Sequence, residues 1–358
     1  MNSTVFRHFY DTYVSPYVSP GLHHINLPPR IHILITHLIS YLPPSLNLSL
    51  APLLVLADFT FISTRTIQTG TSSLLDILII CPGLHKQSTA ASLNEGEYPA
   101  TAAMTTGYVF RTENQAMVHY LQRVGVTGSL VTLSVKERAK MRGERIRDLV
   151  FGPGGMDIAY LVAVIWTLDV VAGCGIIGDG WALTCVCMLI LSRILNLLVI
   201  RRRLAPEWHG ALEPGVKGDL LVLLSQDRWI RIQGLVDDLK AVTSGQWLRD
   251  QGFVEQCLVD AGTVLVYAAV IAGSNANQRG ALMVASLLLG NSVLLGISNW
   301  KSGRSFWMHG RVVEVTGEKK YERRRVLADE LIKESGRDDW AVQMGMIPGK
   351  EKGGLAIM

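Results

Sequence analysis

Charge is scarce in this chain. Asp, Glu, Lys and Arg make up 18% of its 358 residues, where an ordinary soluble domain carries about 25%. The shortfall argues against a soluble globule and points to a membrane. Catalytic signatures are missing as well: there is no Walker loop, no GxGxxG after a strand, no HExxH and no GxSxG. No residue is therefore assigned to catalysis, and an enzyme ranks third among the readings, behind a scaffold and a transporter. Cysteine is thin. Cys174, Cys185 and Cys187 fall in apolar runs, while Cys81 and Cys257 stand alone. None has the His or Cys neighbours that zinc requires, so neither metal nor cofactor is expected. A secretory leader is lacking, because MNSTVFRHFYDTYVSP has no basic region followed by an apolar one. A net charge of +4 is too small to imply a nucleic-acid partner.

What the chain does have is long apolar runs. A bilayer core of about 30 Å needs roughly 20 apolar residues in a helix, since every backbone polar group must be bonded internally. Residues 158–178, 181–200, 257–274 and 280–299 qualify, and the connectors within each pair are very short. The expected fold is mainly α: a four-helix transmembrane bundle of two helical hairpins, carrying a small cytosolic α+β module. Basic residues set the orientation. Of 34 Lys and Arg, 26 lie in residues 135–150, 201–256 and 300–358, and positive charge resists translocation. Both termini and the central segment are thus expected in the cytosol, with the bilayer as first partner.

Six regions follow. Residues 1–103 are expected to form a low-order extension, holding nine of thirteen prolines and six of nine histidines, with an extra re-entrant or marginal hairpin as the opposing reading. Its apolar runs are broken by Pro43, Pro44, Pro52 and Asp58, and composition turns protein-like only near Met104, a candidate translation start. Residues 104–156 form a cytosolic segment ending in a basic juxtamembrane helix over 135–150. Hairpins occupy 157–200 and 257–299. Between them, 201–256 reads as a β-hairpin around Ser225-Gln226-Asp227 followed by a helix through Leu235, Leu239 and Val242. Residues 300–358 give a strand at 311–316, a charged helix at 319–334 and a tail. A helix from Thr112 onward, with Met117, Tyr120, Leu121 and Val124 on one face, is read with a capping box at Thr112.

Polar residues inside apolar spans are the candidate sites. These are Asp169, Arg193, Asn196, Asp260 and Asn291. Asp169 and Arg193 differ in depth by roughly 6 Å at 1.5 Å per residue, which an Arg side chain covers, so an ion pair within the first hairpin is expected. Arg142, Arg145, Arg201, Arg202 and Arg203 flank the spans and suit an anionic lipid surface. His209 and His309 follow matching Trp residues after each hairpin, but two histidines without a carboxylate make no metal site.

Residues 206–247 (PEWHGALEPGVKGDLLVLLSQDRWIRIQGLVDDLKAVTSGQW) resemble a segment of uncharacterised multi-pass membrane proteins of filamentous fungi. The resemblance covers roughly 104–346, leaves the extension outside, and implies the four-span layout without any activity to carry over. Two classes of function remain. One is an interaction or scaffold protein that presents its cytosolic module to a protein partner. The other is a small transporter or channel, homo-oligomeric, that uses Asp169 and Arg193.

Overall fold

The computed structural model describes residues 50–87, 92, 94–138, 142–153, 157–204 and 210–348. The chain begins with a 3₁₀ turn, Ala51–Leu56, then α1 (Phe61–Thr69) and a second 3₁₀ turn, Leu74–Leu78. Strands β1 (Ala100–Ala103) and β2 (Val109–Arg111), helix α2 (Gln115–Val124), strand β3 (Ser129–Glu137) and helix α3 (Arg142–Phe151) follow. The first long pair is α4 (Ile158–Ile177) and α5 (Gly180–Arg203). Next come β4 (Lys217–Leu224), β5 (Arg228–Leu235) and α6 (Val236–Thr243), then the second long pair, α7 (Phe253–Ser274) and α8 (Gln278–Lys301). Strands β6 (Ser305–Met308) and β7 (Arg311–Lys320) precede α9 (Arg324–Ser335) and α10 (Asp339–Gln343).

Helices α4, α5, α7 and α8 are each long and apolar enough to cross a membrane. Their ends have local causes. Gly178 closes α4 at φ 73°, a left-handed conformation that costs glycine little. The adjacent Asp179 starts α5 by accepting from the Ala182 N–H at 3.1 Å. Its other oxygen accepts from the Asn277 N–H at 2.8 Å, so the two connectors are tied together at one end of the bundle. Helices within a hairpin touch little. Instead α8 runs along α4, and α7 along α5.

What separates the two helices of each hairpin is residues 50–87, which were expected to be a low-order extension. Pro52 lies against Gly273, where a Cβ would meet its Cγ at 2.6 Å, near the connector end. Nine residues later the Phe61 carbonyl accepts from Asn299 Nδ2 at 2.8 Å, at the opposite end. The chain then returns inward: the Ile80 carbonyl accepts from Asn291 Nδ2 at 3.3 Å, ten residues or about 15 Å from the end of α8. The Gly83 N–H bonds the Val55 carbonyl at 3.0 Å. Val55, Ile79, Ile80, Cys81 and Leu84 are buried in one core with all four long helices. Pro52 and Asp58 looked like interruptions because no single helix can contain them. Buried backbone that is not helical is tolerated when protein groups satisfy it.

At the other end sits a seven-stranded sheet in the order β2-β1-β4-β5-β3-β7-β6. Only β3 and β5 pair in parallel. Alternation along the central strands serves two faces. Ile230 and Ile232 pack with Met117, Leu121, Leu239, Val242 and Trp247 on one side. Leu130, Leu221 and Trp229 pack under Leu327, Leu331 and Trp340 on the other. The bundle-plus-α+β layout is thus present, with three changes, one being that the charged helix starts at Arg324 because Lys319 and Lys320 pair with β3. Val135 to Glu137 belong to β3 rather than to the basic helix, since they pair with β7. The cap of α2 is Asn114, whose side chain accepts from the Met117 N–H at 3.0 Å, not Thr112. The His309-Gly310 pair proves to be a two-residue turn joining Met308 and Arg311, with φ 47° and 79°. Its proposed counterpart at His209 lies outside the described residues.

Candidate functional site

Two places concentrate polar chemistry, and the first is inside the bundle. Asp76, at the inner 3₁₀ turn, is buried. Its Oδ1 receives Arg65 Nε at 3.2 Å and the Tyr160 hydroxyl at 2.8 Å, and its Oδ2 receives the Ser73 N–H at 2.7 Å. The Arg65 guanidinium also lies 3.8 Å from the centre of the Tyr160 ring. Arg193, only 3% exposed, donates from Nε to the Asp76 carbonyl at 3.0 Å. Below them Asn291 bonds Thr167 Oγ1 at 3.1 Å, and Asn196 Oδ1 receives Gln87 Nε2 at 2.7 Å.

The expected Asp169–Arg193 pair does not form. Asp169 is on the outer face of α4, exposed and without a polar partner among the described residues. Arg193 faces inward to Asp76, in the segment expected to be a low-order extension. Helices α4 and α5 are wedged apart, so nearness in depth does not become contact. Asn196 and Asn291 do point into the core, whereas Asp260 is exposed and accepts from Gln256 Nε2 at 3.0 Å. Asp76, Arg65, Tyr160 and Gln87 were missed. The usable signal was Asp76 itself, a lone acid inside the apolar run 73–84.

Of the flanking arginines, Arg201 bonds the Ser72 carbonyl at 2.9 Å, and Arg203 bonds the Arg249 carbonyl at 2.8 Å. Arg202 lies 3.8 Å from Glu255. The side chains of Arg142 and Arg145 are outside the described residues.

The second place is a groove of about 1120 Å³ at the β2 edge of the sheet. Tyr108 and Phe110 stack on one wall, ring centres 5.9 Å apart, and Val236 and Leu239 of α6 form the other. Its rim is charged: Lys240 Nζ holds Glu213 at 2.5 Å, and Arg111 and Lys217 open to solvent. Strand β2 ends the sheet, so its outer backbone edge has no strand partner among the described residues. Deeper in the sheet Arg231 grips Asp219 with Nε at 3.0 Å and Nη2 at 2.6 Å, and reaches Glu334 at 2.7 Å. Those bonds raise the Arg231 guanidinium above its ordinary value, Asp219 contributing most, and make this charge cluster structural.

Fold and sites together define a helical-bundle protein with four helices fit to cross a membrane and a mixed sheet at one end. No protein family, curated protein or solved structure matches the chain.

Proposed function

We propose that the protein is a multi-pass membrane protein whose sheet module is a cytosolic docking platform, with both termini on that side. The reading rests on the groove beside β2. A free strand edge with aromatic side chains next to it suits an extended protein segment, which gains main-chain bonds from the edge and side-chain pockets from the wall. The volume exceeds the roughly 300–1,000 Å³ typical of small-molecule sites. Mixed rim charge, with Arg111 and Lys217 near Glu113 and Asp250, disfavours a nucleic-acid ligand. The excess of Lys and Arg on the sheet side supports the orientation.

A photo-crosslinker at Tyr108 in the membrane-embedded protein tests this. One protein partner should crosslink there and not from Arg325 on the opposite face, and Phe110→Asp should reduce its recovery at least about fivefold, the loss of one buried aromatic contact. Equal labelling from both positions would refute the groove as a docking site.

A transporter or channel is the second reading, favoured by one observation: non-helical backbone reaches the middle of the bundle beside buried charge. Its pathway would involve Asp76, Arg193 and Asn291 rather than Asp169. Ion flux in proteoliposomes that disappears with Asn291→Leu, in protein that remains folded, would place it first.

A further inference from the structure

The chain enters the bundle at one end and leaves it at the other. Pro52 packs on Gly273, the last residue but one of α7, and Cys185, near the start of α5, touches the same glycine. Both positions lie beside the connectors. Phe61 is at the opposite end, with its ring 3.4 Å from where a Cβ on Gly296 would stand and its carbonyl on Asn299. Ile67 is buried in the core beneath the sheet. Gly70 then abuts the Trp307 backbone in β6, where a Cβ would have no room. Residues 50–70 therefore run from the connectors to the sheet, along spans of about 30 Å.

The next stretch does not repeat that path. Residues 72–87 enter from the sheet side, where Arg201 in the last turn of α5 bonds the Ser72 carbonyl at 2.9 Å. They turn at mid-depth, where the Gly83 N–H reaches the Val55 carbonyl at 3.0 Å. Gln87 is back towards the sheet: its Oε1 receives Arg203 Nη1 at 3.5 Å. The segment thus holds one complete passage and one re-entrant turn. Irregular backbone can occupy that depth only where protein encloses it, and here Pro52, Val55 and Ile80 are buried among the four long helices. Asp58, on the passage, pairs with Lys86 on the returning chain at 2.6 Å, as charges at membrane depth do.

We infer that residues 50–61 are a fifth crossing of the membrane, non-helical and sheathed by the helices, so that the chain before Leu50 emerges on the connector face, opposite the sheet. The four long helices by themselves return the chain to the side it left, since α4 begins and α8 ends at the sheet. The fifth crossing reverses that parity. Both termini then share the sheet side, as proposed above, only through a further crossing before Leu50. The inference holds for either orientation of the bundle. Docking at β2 can fail without it, and it can fail without docking.

The test uses the full chain in sealed membrane vesicles of one orientation. One variant carries a specific protease site between Ser49 and Leu50, where Leu50 is 67% exposed. A second carries it after Gly336, in the exposed turn between α9 and α10 on the sheet side. Protease added outside should remove the full-length band of one variant and leave the other intact, and detergent should make both cleavable. Leu50→Cys, Asn275→Cys and Arg325→Cys give the same reading without an insertion, by labelling with a membrane-impermeant maleimide and mass spectrometry of the peptide that carries each position. Leu50 should label from the same side as Asn275, in a connector, and from the side opposite to Arg325. Cleavage of both protease variants in sealed vesicles, protection of both, or labelling of Leu50 together with Arg325 would overturn the fifth crossing.

Discussion

Arg193 and Asp169 are both charges set well inside apolar helices, and their surroundings are opposite. Arg193 is enclosed, hydrogen-bonded to the Asp76 backbone and near the Asp76–Arg65 pair. Asp169 is on the outer surface of α4. Position along a helix fixes depth, but only packing fixes direction. Here packing is governed by residues 50–87, which fill the space a compact hairpin would close. The inner charge therefore has a partner from a distant part of the chain, and the outer one has none among the described residues.

The contrast between these two charges disappears altogether when the wedge is removed. Deleting residues 1–103 takes away Asp76, the apolar residues Val55, Ile79 and Ile80, and strand β1, which pairs with β4. The truncated chain should give no monodisperse folded protein on size-exclusion chromatography in detergent. A well-folded truncation would restore Met104 as a sufficient start and make the wedge dispensable.

A single atom-scale change comes next. Asp76→Asn keeps the shape and removes the counter-charge for Arg65 and Arg193. Taking one partner from a buried ion network costs about 3–5 kcal/mol, so thermal or denaturant unfolding should show a loss of that order. Adding Arg193→Leu to Asp76→Asn should recover part of it, because the remaining Arg65 still stacks on Tyr160. If the two substitutions are simply additive, the two residues are not coupled.

Much of this architecture was legible in the residues. The four long helices follow from local apolar content, and the β4–β5 hairpin and α6 from periodicity and turn chemistry over short windows. Ile230 and Ile232 alternate with Trp229 along β5, and the two sets of side chains enter different cores. The contacts of the wedge are not legible for a physical reason. Its stability comes from bonds to residues far along the chain, such as Gln68 Nε2 to the Asn299 carbonyl at 3.1 Å, and no local pattern encodes those. Pro52 and Asp76 break a helical run, so a scan for spans discards them, although in the fold Pro52 packs on Gly273 and Asp76 is the centre of the polar network. The intramembrane candidates divide for the same reason, with Asp169 and Asp260 on the outside. Arg193, Asn196 and Asn291 are interior because polar groups on helices turn towards partners, yet which partners they find depends on the wedge.

Asp169 provides the smallest effect and the sharpest question. If the outer face of α4 contacts lipid in the native bundle, it also contacts lipid when the helices separate, and the carboxyl's surroundings change little on unfolding. Asp169→Leu should then alter unfolding free energy by no more than about 0.5 kcal/mol, the scale of substitutions away from special contacts. It should still favour insertion, since an acid at the helix centre costs about 2.5–3.5 kcal/mol on the translocon scale. Measured insertion and unfolding would therefore move independently. A destabilisation above about 1 kcal/mol, or a shift from dimer to monomer in the variant, would show instead that a second copy covers this face and supplies the partner that α5 does not.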